Sequence, residues 1–114
     1  MSQSTADEPV VAVLVTAPSE DVAAALARGA VSAGVAACGN LVPGVRSIYR
    51  WQGEVHDDAE VLIVFKTARS RFEALRRYVV DAHPYETPEV IALPVTDGHA
   101  PYLAWVAANV GVSR

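Results

Sequence analysis

The seven residues from His83 to Glu89, HPYETPE, bring an imidazole, a phenol and two carboxylates together in a stretch stiffened by two prolines. An imidazole with carboxylates is a typical donor set for a borderline divalent cation such as Cu²⁺ or Zn²⁺. The spacing allows a metal site with His83, Glu86 and Glu89 as ligands. It also allows a structural connection in which His83 caps the preceding helix and the carboxylates face water. Taken alone, the residues favour the connection.

A second polar group lies near the middle of the chain, where His56, Asp58 and Glu60 share one face of a predicted strand. Such a face can hold a cation weakly, because oxygen and imidazole donors then point the same way. A charged face is more typical of a solvated hairpin end that resists aggregation. We therefore expect this group to be structural.

Cysteine and lysine each occur once in the chain. Cys38 excludes an internal disulfide, and its alanine neighbours are typical of a small buried thiol, whereas an open strand face would make it a soft ligand or redox thiol. We expect Lys66 to form a salt bridge with a carboxylate such as Glu86, or to bind an anionic ligand. The aromatic side chains of Trp51 and Tyr85 either line a pocket or fill a core or interface.

Hydrophobic patterning predicts the elements that position these residues. A continuous β-branched run indicates a strand buried on both faces, and period-two alternation indicates two long strands joined at Gln52-Gly53. Ser70 and Glu73 predict a capping box, and Pro84 ends the helix that follows it. The predicted strands are Pro9–Thr16, Ala36–Trp51 with an interruption near Pro43-Gly44, Glu54–Thr67 and Glu89–Val95. The first predicted helix follows an N-cap within Pro18–Asp21 and stops at Gly34, the second runs from the Ser70 cap to His83, and the third is Tyr102–Asn109.

This order of elements predicts an α+β fold, the ferredoxin-like split βαβ sandwich (βαββαβ), with a long central β-hairpin and a C-terminal helix. Residues 1–8, MSQSTADE, predict a disordered tail ahead of a single domain at residues 9–114. The hairpin from Val45 to Thr67 is longer than a domain of this size requires. Because unprotected sheet edges associate, we expect a homo-oligomer.

The composition restricts the function classes. Apolar residues make up 52% of the chain and charged residues 19%, so we expect a second copy to cover some of the apolar surface. The net charge of −4 argues against nucleic-acid binding. The single cysteine, the polar start without a secretory pattern and the lack of a long apolar run predict a cytoplasmic protein without a membrane partner. Because no nucleophile elbow, P-loop or dinucleotide fingerprint occurs, we expect neither an enzyme nor an organic cofactor.

Ten short segments between Val10 and Trp105 share their order and spacing with one known family. They are Thr16-Ala17-Pro18, Ala36–Asn40, Pro43-Gly44, Ser47-Ile48-Tyr49, Trp51, Gly53, Glu60, Lys66-Thr67, His83–Glu86 with Pro88-Glu89, and Tyr102-Leu103 with Trp105. On these segments the chain resembles the CutA family, the divalent-cation tolerance proteins. The resemblance covers nearly the whole ordered chain.

The resemblance implies a tight homotrimer joined through the long hairpins, with an architecture similar to that of PII signalling proteins. It implies a role in tolerance to copper and other divalent cations, with no established enzymatic activity. It also implies that His83 and nearby carboxylates contribute to a pocket at the subunit boundary. We expect Cu²⁺ to bind there weakly, with His83, Glu86 and Glu89 as ligands, in a pocket formed by Trp51, Lys66, Tyr85, Glu86 and Cys38.

Two residues depart from the family pattern. Ala17 stands where family members often carry a cysteine, and its lack of a thiol weakens the case for soft-metal binding. Gly39 stands where an apolar residue is usual, and we expect it to loosen or bulge the strand. Two alternative functions remain open. One is a PII-like sensor that binds a small anionic metabolite through Lys66, and the other is a structural trimer that anchors or stabilises an unidentified partner protein.

Overall fold

The computed structural model describes residues 8–110. Residues 1–7 of the predicted tail and residues 111–114 lie outside this part of the chain. The elements are β1 (Val10–Ala17), α1 (Glu20–Ser32), β2 (Cys38–Trp51), β3 (Glu54–Ala68), a 3₁₀ turn (Arg69–Arg71), α2 (Phe72–Ala82), β4 (Ile91–Pro94) and α3 (Ala100–Ala108). This order confirms the predicted α+β fold.

The four strands form one antiparallel sheet in the order β2-β3-β1-β4. One face carries the main core, in which the side chains of Val13, Val15, Ile63 and Phe65 are fully buried against the two helices that follow β1 and β3. Burial therefore alternates along β1, so the expected burial on both faces is wrong. The reason is that α1 and α2 cover only one side of the sheet.

The second face of the sheet is largely uncovered, and we call it the open face. α3 covers one end of it, where Val106 packs with Val10 and Ala68. Beyond that end the open face is apolar, and Leu93 on β4 is 47% exposed. No helix among residues 8–110 is both long enough and apolar enough to cross a membrane.

The central hairpin extends well past the body of the sheet. β1 pairs with β3 only as far as Ala17 opposite Val61, whereas β2 and β3 continue to Trp51 opposite Glu54. The chain measures 53 × 25 × 22 Å as a result. The turn at Gln52-Gly53 requires a left-handed backbone at both residues, with φ of 52° and 82°. The predicted long hairpin and its turn are confirmed.

The predicted capping box at the second helix is wrong. The 3₁₀ turn places Arg71 at the position before α2, and no side chain caps the helix there. Ser70 Oγ instead donates to Glu8 at 3.0 Å, and Glu73 accepts from Arg76 at 3.0 and 2.5 Å. The extra turn moves Ser70 out of reach of the first helical N–H groups.

The sheet is regular at Gly39, so the expected loosening or bulge there is wrong. Gly39 pairs directly with Phe65, and the register shifts only between Val42 and Val45. A Cβ on Gly39 would lie 3.1 Å from the Cβ of Ala27 and 3.2 Å from the Phe65 ring. The glycine therefore makes room for a large aromatic side chain in the core, and its neighbours occupy the volume that a side chain would need.

Candidate functional site

The helix α2 ends at His83, where Pro84 disfavours helical geometry. His83 has φ −80° and ψ 142°, and its N–H donates to Val79 O at 2.8 Å. Its imidazole does not cap the helix carbonyls. Nε2 lies 2.8 Å from the carbonyl oxygen of Thr16, and Nδ1 accepts from the N–H of Tyr85 at 3.1 Å. Since a carbonyl only accepts, Nε2 carries the proton, and both ring nitrogens are used by the chain itself.

The next residue along this connection, Tyr85, points its hydroxyl back to the base of the hairpin. The hydroxyl donates to Glu60 Oε2 at 2.7 Å, and Glu60 is only 8% exposed. Burial, and next the hydrogen bond to Glu60, raise the pKa of Tyr85 above its ordinary value of 10. Burial and the nearby charge of Glu60 likewise raise the pKa of Glu89. The phenol is therefore held in its protonated, donating form beside a largely buried carboxylate.

These residues border an open cavity of about 790 Å³ between the connection that follows α2 and the projecting part of the hairpin. The cavity brings together Trp51, Tyr85, Glu86 and Glu89 with Asp58 and Glu60, all of which the sequence singled out. The expectation of a solvated hairpin end is wrong for Glu60, which is buried. The complete lining is Thr16, Arg46, Ser47, Ile48, Tyr49, Trp51, Asp58, Glu60, Tyr85, Glu86, Thr87 and Glu89. His83 is buried and is not part of the lining.

Cys38 and Lys66 lie elsewhere. They face each other across β2 and β3 near the start of the hairpin, far along both strands from the cavity lining. The half-buried Cys38 has its Sγ 3.7 Å from the hydroxyl of Tyr102 on α3. Lys66 Nζ donates to Asn40 Oδ1, so the expected salt bridge with Glu86 is wrong: the ion pairs among residues 8–110 join Arg46 to Asp57 and Glu73 to Arg76 and Arg77.

Tyr49 and Asp58 belong to this cavity although their positions in the sequence do not predict it. The hydroxyl of Tyr49 donates to Asp58 Oδ2 at 2.5 Å, and both residues line the cavity. Alternation along β2 placed Ser47, Tyr49 and Trp51 on one face, and this was the signal available in the sequence. Asp58 joins this face because the cross-strand register places it opposite Ser47, and the sequence does not reveal that register.

The cavity is acidic, but it contains no preassembled metal shell. Within residues 8–110, no three His, Cys, Asp or Glu side chains stand close enough together to hold a metal ion. The lining does contain four carboxylates, and within the same residues none of them pairs with a basic side chain. The unpaired carboxylates favour a cation in the cavity and disfavour an anion. They are Asp58, Glu60, Glu86 and Glu89.

Comparison with known proteins gives consistent similarities. The sequence model of one family, described as CutA1 divalent ion tolerance protein, matches residues 11–109. The divalent-cation tolerance protein CutA of Thermus thermophilus is 48% identical over 99 residues, which cover 87% of this chain and 96% of that relative. Protein CutA of Mus musculus is 50% identical over 97 residues, and the match covers 85% of this chain but only 55% of the mouse protein. The crystal structure of CutA1 from Oryza sativa has a TM-score of 0.89 at 42% identity, and the match covers 93% of this chain and 97% of that chain.

Proposed function

Since the chain belongs to the CutA1 family of divalent ion tolerance proteins, we propose that it acts in tolerance to divalent metal ions, copper among them, by binding the cation weakly at the acidic cavity. The observation that carries this proposal is the set of four carboxylates around one cavity without a basic partner in the described residues. Carboxylate oxygens attract a divalent ion by charge and ligate it directly. The proposal includes no catalytic step.

The proposed ligands are Glu86, Glu89 and His83. Glu86 and Glu89 already line the cavity, whereas His83 has both nitrogens engaged and must release Nδ1 from the Tyr85 N–H before it can ligate. This requirement and the small number of ligands account for weak binding, and a ligand from a second copy would complete the shell. Ala17, which replaces a thiol of the family, is fully buried and offers no soft donor.

Calorimetric titration with Cu²⁺ tests this proposal. We expect the double variant Glu86→Gln with Glu89→Gln to bind about tenfold more weakly, because two ligand charges are removed. The matched control is Glu20→Gln, which removes one charge from an exposed position in the first turn of α1. Equal affinities of the wild type and the double variant would overturn the cavity as the cation site. His83→Gln in the same series tests the third ligand separately.

We also propose that the protein is a homotrimer with the cavity at the subunit boundary. Support comes from the apolar open face and from the long hairpin, which extends beyond β1. The outer edges of β2 and β4 have no neighbouring strand among residues 8–110, and free edges of this kind associate. Light scattering coupled to gel filtration measures the mass directly, and a stable monomer would contradict the proposal.

The two alternative functions receive different support. A sensor of anionic metabolites is disfavoured, because the cavity is lined by carboxylates and Lys66 lies outside it. A structural trimer that anchors a partner protein is favoured by the exposed apolar side chains of the hairpin, since Ile48 is 64% and Val55 is 65% exposed and such surfaces often mark interfaces. Co-purification with the intact hairpin and with the Val55→Ser variant distinguishes this function from metal binding, because Val55 does not line the cavity.

A cytoplasmic location completes the proposal. The single cysteine is consistent with a reducing compartment. Relatives carry different locations in their names, since one from Arabidopsis thaliana is named chloroplastic and a solved structure from Archaeoglobus fulgidus is named periplasmic. Cell fractionation with an antibody against this chain tests the location, and recovery outside the cytoplasmic fraction would contradict it.

A further inference from the structure

Glu60 is the most buried of the four carboxylates in the cavity, with 8% of its surface exposed. Its hydrogen-bond donor is the neutral hydroxyl of Tyr85, and it forms no ion pair with a basic side chain among residues 8–110. A buried carboxylate without a counter-charge is costly, because its charge has lost water without gaining a cation. Glu60 therefore provides a specific reason, beyond the general acidity of the lining, for a cationic occupant.

Aromatic side chains line the same cavity. Tyr49, Trp51 and Tyr85 are part of its wall and keep 41%, 40% and 37% of their surface exposed. An aromatic ring attracts an organic cation through its face, and tryptophan does so most strongly. A bare metal ion gains nothing comparable, since it keeps its water or takes oxygen and nitrogen ligands. The wall therefore favours a cation that also carries an apolar surface.

The volume of the cavity also favours an organic cation. In the single subunit the open cavity of about 790 Å³ falls within the range of sites for a small organic molecule and exceeds the space that one metal ion occupies. The four carboxylates are distributed around the cavity without forming a three-ligand cluster within the described residues. Such a distribution also suits several separate positive charges.

We propose that this cavity binds an aliphatic polyamine, an organic cation with two or more ammonium groups. Glu60 and Glu86 accept hydrogen bonds from the ammonium groups, and Trp51 packs against the methylene chain and the adjacent charge. Polyamine binding is a function separate from metal tolerance, although both would use the same cavity. A polyamine and a divalent cation then compete for the same carboxylates.

Calorimetric titration of the metal-free full-length protein with putrescine tests the proposal, with butanediol as the uncharged ligand of matching length. We expect saturable binding of putrescine, none of butanediol, and a loss of about tenfold in affinity for Trp51→Leu and for Glu86→Gln. The matched controls are Trp105→Leu and Glu20→Gln, which alter exposed residues outside the cavity and should bind as the wild type does.

The absence of putrescine binding up to about 10 mM would overturn the proposal. So would an equal loss of affinity in the cavity variants and the control variants, because that result would indicate attraction to the net negative charge alone. A parallel Cu²⁺ titration separates this inference from the proposed function. If putrescine binds and Cu²⁺ does not, the polyamine site is supported and metal binding at the cavity is contradicted. If Cu²⁺ binds and putrescine does not, the polyamine site is contradicted.

Discussion

The imidazole Nε2 of His83 lies 2.8 Å from the carbonyl oxygen of Thr16, a residue 67 positions earlier in the chain. The opposite side of the ring accepts from the Tyr85 N–H at 3.1 Å. The ring thereby joins the end of β1 to the connection that carries Tyr85, Glu86 and Glu89. It is 8% exposed, so water replaces neither hydrogen bond easily. These two contacts link the wall of the cavity to β1.

We expect His83→Ala to lower the free energy of unfolding by about 2 kcal/mol, because a partly buried carbonyl and a backbone N–H both lose their partner. Denaturant unfolding followed by circular dichroism measures the change. His99→Ala is the matched control, since His99 is exposed and its side chain caps no helix. If both variants are as stable as the wild type, the imidazole does not hold the connection.

Stability should fall at alkaline pH, and Tyr85 should account for part of the fall. Its pKa in the folded protein is raised above the ordinary value of 10, chiefly by burial and then by Glu60. Folding therefore favours the protonated phenol. The resulting stability is complete below about pH 10 and is lost as the pH rises further.

The comparison of wild type with Tyr85→Phe measures this contribution, using unfolding at a series of pH values. Tyr85→Phe should lose less stability above about pH 10 than the wild type does, because phenylalanine cannot ionise. Tyr102→Phe serves as a second comparison, since burial and the hydrogen bond to Cys38 also raise the pKa of Tyr102. Parallel curves for Tyr85→Phe and wild type would contradict a role for this phenol.

Gly39→Val should destabilise the fold by about 1–3 kcal/mol through overpacking. The added side chain enters space already bounded by Ala27 and Phe65, at 3.1 and 3.2 Å from the first added carbon. The double variant Gly39→Val with Phe65→Leu should recover much of the loss, because the smaller residue makes room. A double-mutant cycle by denaturant unfolding measures the coupling, and strict additivity would contradict the contact.

Leu93→Glu should weaken self-association without unfolding the subunit. Leu93 is 47% exposed on β4 and pairs with Ala12, which places it on the open face. A carboxylate there would be desolvated when a second copy covers the face. Ala25→Glu, on the exposed side of α1, is the control. Light scattering at several concentrations should detect a lower mass for Leu93→Glu alone, and unchanged assembly would show that this part of the face is not an interface.

The sequence by itself determined the elements and their order. The β-branched run of β1, the alternation along the hairpin and the proline after His83 act over a few residues, so they can be identified without knowing the fold. The same local patterns predicted the hairpin turn and the βαββαβ order. They failed where a neighbour from another element intervened, as at Ser70, whose hydroxyl binds Glu8 and leaves α2 uncapped.

Only the tertiary structure decided which side chains share a site. One cavity brings together Trp51, Tyr85, Glu86 and Glu89. Cys38 and Lys66 pair across β2 and β3 at the end of these strands that is far from the hairpin turn. The physical reason is that cross-strand register and the packing of distant segments determine the partners of a side chain. A local sequence pattern cannot predict that His83 lies beside Thr16, because the two residues are far apart in the chain. This contact places the imidazole next to the cavity but outside its lining.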